Sequence, residues 1–365
     1  EMLADRVPGV ALAIVRGGEL VHMRGYGDDG SGRPVRPQTG FILGSMSKAF
    51  TAVLAMQLVE QGKLALDAPV QDYLPWFKVA DHEASQRITV RHLLHHTSGL
   101  PTNARRARND PATLADHVRA LAEVELAHAP GAVHEYSSPN YLVLGAIIEQ
   151  AGGRSFAEQV REGIFTPLGM SHSFTSPPSA TPVPMAPTAP VSPLARVARG
   201  HRYWFGFPRP VDLAHESDRL PTAALISSAE DLGRFLQALL GSEPGASALL
   251  QPSSRAEMLR PAAPSAGFSY AMGWRVGEVL GVPAIHHGGI LPHFRGKMVM
   301  VPEGSWGVAV LTNASSALPL SPTSQRMADQ IAAHHFITAL HVGEVQVRKG
   351  VRKQSEQFVS DHMPE

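Results

Sequence analysis

Ser45 and Lys48 stand three residues apart in Ser45-Met46-Ser47-Lys48, where a Gly- and Pro-rich loop gives way to a run (50–64) with helical spacing of apolar residues. Residues three apart share one face of a helix, so a serine hydroxyl and a lysine amine can meet there. Serine is a poor nucleophile until a base takes its proton, and an amine does that only when uncharged. A helix N-terminus helps twice: its unpaired N–H groups can donate to a developing oxyanion, and its positive potential disfavours an ammonium. Bringing a lysine from about 10.4 to about 7 takes roughly 4–5 kcal/mol, which burial and a helix N-terminus together can supply. Ser-x-x-Lys alone is a weak signal, because serine is common and a solvent-facing helix start is its ordinary setting. Here it opens a helix, and no other Lys of this Lys-poor chain has a Ser three residues before it.

The surrounding sequence must supply the elements that hold this pair. Residues 10–15 are an apolar, β-leaning run, Arg16-Gly17-Gly18-Glu19 supplies turn chemistry, and 20–26 resumes as a strand, the pattern of a β-hairpin. Helical spacing marks 50–64 with Gly62 as a stop, then 88–96, 111–126, 141–150 and 155–163. Pro69 and Pro75 restrict the connector 66–76. A segment dense in Pro, Ser, Thr and Ala, at 174–200, reads as a long surface loop. A helix follows at 229–241, then strands at 268–276, 283–287, 295–301 and 306–312, a closing helix at 323–339 and a polar tail at 343–365. Strands at both ends and helices between them predict an α+β fold: an antiparallel sheet built from both chain ends and flanked by helices. The expected division is a sheet domain of 1–62 and 223–342, with a mainly helical region at 63–222.

The composition narrows the function classes. Of 365 residues, 44% are hydrophobic, enough for a sizeable core, and the formal net charge is zero, so no polyanionic partner is called for. The one Arg cluster, Arg105, Arg106 and Arg108, is short and reads as a solvated loop. Without cysteine there is no disulfide, no Cys-ligated zinc and no thiol nucleophile. No apolar run reaches the roughly 18 residues needed to span a bilayer. Glu1 in place of an initiator Met leads us to expect a segment upstream, cleaved or trimmed.

Five segments occur in a fixed order: Ser45-x-x-Lys48, His96-Thr97-Ser98-Gly99-Leu100, Tyr136-Ser137-Ser138-Pro139-Asn140-Tyr141, Ile164-Phe165-Thr166-Pro167-Leu168-Gly169-Met170 and His286-His287-Gly288-Gly289. Together they resemble the β-lactamase-related serine hydrolases, which include class C β-lactamases, D-alanyl-D-alanine carboxypeptidases, D-aminopeptidases and carboxylesterases. The likeness runs from about 7 to about 340. It implies the serine β-lactamase/penicillin-binding fold and an acyl-enzyme on Ser45, with Lys48 as base or proton relay. Tyr136 matches the tyrosine of the Tyr-x-Asn motif, and His286 with Gly288 matches the third motif. The backbone N–H groups of Ser45 and Gly289 would form the oxyanion hole. No cofactor is implied, the partner is a small ester or peptide-like substrate, and an extracytoplasmic location is expected.

Two departures bear on the substrate. Ser138 stands where the family usually has Asn, and offers fewer hydrogen-bonding groups to an amide. The third motif opens on His, so the permanent charge of Lys is lost. Both point toward an esterase or D-amino-acid peptidase or amidase with weak or no β-lactamase activity. The alternatives are a non-catalytic sensor or binding module, and an acyltransferase using the same acyl-enzyme. Asn140, Tyr203 and Trp204 are further candidates for substrate contact; the last two belong to an aromatic-dense stretch, 203–207, that needs a reason if exposed. His92, His95 and His96 lie at helical spacing but lack a completing carboxylate, so no metal is expected. Asp28-Asp29 lacks the rest of a calcium loop, and the sequon Asn313-Ala314-Ser315 ends a predicted strand.

Overall fold

The computed structural model describes residues 7–104, 113–177, 197–205, 207–212, 215–241, 249–265, 267–279 and 281–314. The N-terminal runs form a hairpin of β1 (Gly9–Arg16) and β2 (Glu19–Gly27). Its turn, Gly17-Gly18, has φ of 57° and 85°, values that glycine adopts without a steric cost. β1 reads GVALAIVR and is buried on both faces, whereas β2 is largely exposed and forms one edge of the sheet.

The remaining strands are β3 (Phe41–Ile42), β4 (Gly200–Trp204), β5 (Phe207–Val211), β6 (Ile226–Ser227), β7 (Ala263–Ser265), β8 (Phe268–Tyr270), β9 (Arg275–Val279), β10 (Val282–Leu291), β11 (Phe294–Val301) and β12 (Trp306–Thr312). Eight of them form one sheet in the order β2-β1-β12-β11-β10-β9-β8-β7, antiparallel at each pairing. β3 pairs with β6, and β4 with β5, in two small separate sheets. The helices are α1 (Ser47–Glu60), α2 (His82–Arg87), α3 (Val90–Leu94), α4 (Leu114–Arg119), α5 (Ser138–Gly152), α6 (Phe156–Val160), α7 (Ala229–Leu240) and α8 (Pro252–Leu259). The fold is α+β, with strands from both ends of the chain and helices from its middle, as the sequence predicts.

α1 is apolar around most of its circumference and lies inside the molecule, as such a helix must. Phe50 on α1 stacks on Phe235 of α7, ring centroids 4.1 Å apart, and α7 covers β1 and β12. Strand alternation divides the sheet into two apolar faces. Ala11, Ala13, Val15 and Met298 join the α1 core, while Val10, Leu12, Ile14 and Val299 belong to a second cluster on the opposite face.

Several details depart from expectation: the helix expected at 111–126 is confined to Leu114–Arg119, and α2 and α8 were not expected. The strand expected at 268–276 is broken into β8 and β9 by the turn at 271–274, and β10 runs longer than 283–287. The helix expected at 141–150 starts at Ser138, because Pro139 fits the first turn of a helix, where its missing N–H is not needed. The stretch around Trp204 forms the β4–β5 hairpin. The Arg105–Arg108 cluster, most of the Pro-rich loop, the helix expected at 323–339 and the tail lie outside the described residues.

Candidate active site

Ser45 sits on a tight turn. Gly44–Met46 form one 3-10 turn that runs into α1 at Ser47. Side chains three apart eclipse one another in 3-10 geometry, so Ser45 and Lys48 face each other. Lys48 Nζ lies 3.2 Å from Ser45 Oγ and donates to the Thr222 carbonyl at 3.0 Å. Lys48 is fully buried, while Ser45 is half-buried and reachable. The segment that carries Thr222 is clamped onto α1 by Thr51, whose hydroxyl donates to Pro221 O at 2.7 Å. Gly44 is required twice over: its φ is 58°, and an added Cβ would stand 2.9 Å from the amide nitrogen of Ile290 on β10.

Tyr136 enters from the loop ahead of α5. Lys48 Nζ is 5.0 Å from its ring centroid, and its hydroxyl is buried with no hydrogen-bond partner among the described residues. His96 holds this loop. It takes a left-handed backbone conformation, φ 57°, and its Nδ1 accepts from Ser137 N and Asn140 Nδ2, both at 3.1 Å. Asn140 is 1% exposed and its Oδ1 accepts from Ser98 Oγ at 2.5 Å. The expected substrate contact at Asn140 is therefore not available: both ends of its amide are committed to positioning the Tyr136 loop. Ser138 begins α5 half-buried, and no hydrogen bond links it to Lys48 among the described residues.

β10 supplies the third wall, with a correction. His287 pairs with Met298 and shares its face with Ile285, toward the α1 core; His286 pairs with Val299, on the opposite face of the sheet. Period-two alternation permits only one of two adjacent histidines to reach the site, and that one is His287, not the expected His286. Its Nδ1–H donates to Gly288 O at 2.8 Å, leaving Nε2 to accept from the Tyr270 hydroxyl at 3.1 Å. Its ring lies 6.2 Å from that of Tyr136.

The same register decides which amide of β10 meets the Gly44–Ser45 turn. β10 and β11 meet in a two-residue turn closed by Leu291 and Phe294. Such a closing pair exchanges backbone hydrogen bonds, and the pattern then alternates. Gly289 thus spends its N–H on β11, while Ile290 and Gly288 turn theirs toward the open edge, since β9 pairs no further than His286. The amide that faces the Gly44–Ser45 turn is that of Ile290. Gly289 has a different need for glycine: an added Cβ would stand 1.9 Å from Leu43 O.

Charge in this pocket is arranged against cations. Burial lowers the Lys48 amine, Tyr136 opposes that shift, and Arg219 and Arg275 reinforce it. His96 and His287 are held well below the ordinary imidazole value, chiefly by burial, so both are neutral. Arg275 opens β9, its guanidinium 5.7 Å from the Tyr136 ring, with its Nε buried and unpaired among the described residues. Thr222, Tyr270, Arg275, His287 and the positioning role of His96 were not singled out from sequence. A hydrogen-bonding carbonyl carries no sequence signal, and a lone Tyr or Arg on a short strand looks like any other.

Tyr203 and Trp204 lie on the β4–β5 hairpin. Its base at Gly200 packs on His293 and Phe294, beside the β10–β11 turn, and Trp204 points outward, 56% exposed.

A catalytic-type Ser-Lys-Tyr cluster on this sheet-and-helix frame matches one family. The family model described as Beta-lactamase matches residues 1–332, and the chain belongs to that family of serine hydrolases. It is 34% identical over 328 residues to Penicillin-binding protein 4 of Amycolatopsis lactamdurans, covering 85% of this chain and 82% of that one. It is 28% identical over 321 residues to protein flp of Staphylococcus aureus strain N315, covering 87% of this chain but 61% of flp. Among solved structures, the octameric penicillin-binding protein homologue from Pyrococcus abyssi superposes with a TM-score of 0.72 at 25% identity, covering 92% of this chain and 75% of that one.

Proposed function

We propose that this chain hydrolyses esters or peptide-like amides through an acyl-enzyme on Ser45. The observation that carries this reading is the 3.2 Å contact between Ser45 Oγ and a fully buried Lys48 that has no carboxylate partner among the described residues. A neutral amine has two N–H bonds and one lone pair. Thr222 O takes one N–H, so the lone pair is free to accept the Ser45 proton as Oγ attacks the substrate carbonyl. The carbonyl electron pair moves onto oxygen, where the Ser45 and Ile290 amides donate to it. The Tyr136 hydroxyl, with no hydrogen-bond partner among the described residues, gives its proton to the leaving oxygen or nitrogen as the acyl bond breaks, and the proton held by Lys48 then replaces it. Water then attacks the acyl carbon and loses a proton to the Lys48 amine; the acyl–Oγ bond breaks, and that proton passes to Ser45 Oγ, which restores the starting state.

The substrate reading rests on two residues. Arg275 supplies a cation facing the site, so an acyl donor that ends in a carboxylate, such as a peptide with a C-terminal D-amino acid, has an anchor despite the loss of lysine from the third motif. Ser138 favours simple esters instead, because it offers no amide-sized pair of donor and acceptor. β-Lactam hydrolysis is weak or absent in either case. Kinship with a penicillin-binding protein supports an extracytoplasmic location, which cell fractionation checks.

The test is hydrolysis of p-nitrophenyl butyrate, and of a D-amino-acid peptide with and without a free C-terminal carboxylate, by wild type and Ser45→Ala. Turnover confined to wild type, with one fluorophosphonate adduct on Ser45, is the expected result. Equal background from both proteins and no adduct would sink the reading and leave a binding module.

A further inference from the structure

The β4–β5 hairpin carries two features that cost stability unless something beyond the described residues meets them. Its tip exposes three large apolar side chains: Trp204 at 56%, Phe205 at 86% and Phe207 at 56%. Trp204 and Phe207 form the last pair of the ladder, and Phe205 beyond them takes a left-handed φ of 47°, unusual for a residue with a Cβ. Two pairs further back, Arg202 and Arg209 stand directly opposite each other, both exposed. Like charges facing each other across a ladder destabilise it. Neither arginine pairs with a carboxylate among the described residues, and Asp212 at the base is bound by Arg199 at 2.8 Å. The Arg202 guanidinium lies 5.6 Å from the Trp204 ring centroid, which keeps its charge beside the aromatic tip.

We propose that this hairpin docks on an anionic phospholipid bilayer, inserting Trp204, Phe205 and Phe207 at headgroup level while Arg202 and Arg209 meet lipid phosphates. Trp at a membrane–water interface, with cations just behind it, is the arrangement such surfaces select. The anionic surface removes both costs at once: it covers the aromatics and neutralises the opposed arginines. A protein strand adding to β5 is a poorer occupant, because Pro208 and Pro210 have no N–H to give it. No helix of the described residues is long and apolar enough to cross a membrane, so the contact is docking and not spanning.

The experiment is cosedimentation with large unilamellar vesicles, either phosphatidylcholine alone or phosphatidylcholine with phosphatidylglycerol. Wild type is expected to pellet with the anionic vesicles, with Trp emission shifted to the blue and quenched by brominated lipid. Arg202→Gln and Arg209→Gln should each weaken partitioning about fivefold, and only where phosphatidylglycerol is present. Phe205→Ser with Phe207→Ser should weaken it on both compositions. Unfolding midpoints matched to wild type show that each variant folds; if the double Phe variant does not, the two Arg variants carry the test. Wild type that stays in the supernatant, or Arg variants that bind like wild type, would overturn the proposal. So would vesicle-independent self-association that the Phe variant abolishes, which would assign the tip to a second copy of the chain.

Discussion

Lys48 and Asp231 are both fully buried in the first turn of a helix, one on α1 and the other on α7, and they meet opposite fates. A helix N-terminus favours an anion and penalises a cation, so the position supports Asp231 and works against Lys48. Asp231 Oδ2 accepts from His172 N at 2.8 Å and from Ser173 Oγ at 2.7 Å, and Ser228 caps the Asp231 amide at 3.2 Å. Even so, burial pushes its carboxyl up to about 6. Lys48 is lowered by the same cause, with Arg219 and Arg275 adding to it. What separates the two sites is the partner. Asp231 is enclosed by buried donors of the fold, whereas Lys48 touches a half-exposed hydroxyl that a substrate can reach. A perturbed titration alone therefore does not mark a catalytic group; a perturbed group in contact with an accessible nucleophile does.

The largest effects should fall on that contact. Ser45→Ala or Lys48→Ala is expected to lower kcat/KM by about 10³-fold or more, and the double variant should lose little beyond either single one, because the two act as a unit. Steady-state kinetics on p-nitrophenyl butyrate check this. Additive losses in the double variant would break the pairing. Asp231→Asn, the matching change at the other helix, should leave kcat close to wild type.

Adjacent residues of β10 sharpen the comparison. His287→Ala removes the acceptor of the Tyr270 hydroxyl beside Tyr136, and a loss on the order of a hundredfold in kcat is expected. His286→Ala alters the other face of the sheet and should leave kcat unchanged. The reverse ranking would show that the third motif is set one residue earlier than the pairing register indicates.

Arg275→Gln should act more gently and in a direction fixed by electrostatics. Arg275 lowers Lys48, so its removal raises the Lys48 pKa. With the unprotonated amine as the proposed base, the acid limb of the kcat/KM profile should move to higher pH. KM for a substrate ending in a carboxylate should rise about tenfold, with little change for a neutral ester. An unmoved acid limb would remove Arg275 from the electrostatics of the site.

The chemistry was legible where side chains three apart share a face, and illegible where strand faces decide. The contact of Ser45 with Lys48 was readable from their spacing, its chemical meaning only from the ordered motifs around it, and the N-terminal hairpin from the Gly17-Gly18 turn. His286 and His287 are the same residue type side by side; only the pairing of β10 with β11 tells which one looks inward. The same pairing turns the Ile290 amide, and not that of Gly289, toward the Gly44–Ser45 turn. Asn140 resembles a substrate contact until the His96 and Ser98 bonds appear, and those span more than forty positions of sequence. The exposed aromatics at 203–207 were visible as an anomaly, but their hairpin and the facing arginines were not.

The smallest expected effect concerns stability at the Asp231 helix. Its carboxyl is raised from 3.8 to about 6 in the folded chain. A group whose folded value lies above its unfolded one stabilises the fold most fully below the unfolded value, and that contribution is lost as pH rises through the folded value. Ionised Asp231 therefore weakens the fold, over a window from about pH 4 to about pH 6, by an upper bound of roughly 3 kcal/mol. Asp231→Asn removes this titration while its amide oxygen can still accept from His172 N and Ser173. Urea unfolding at pH 4.5 and pH 7 should show wild type losing stability relative to the variant as pH rises. A parallel pH dependence in the two proteins would mean that Asp231 stays ionised throughout, its charge held by the α7 N-terminus, and the contrast with Lys48 would then rest on helix position and not on burial.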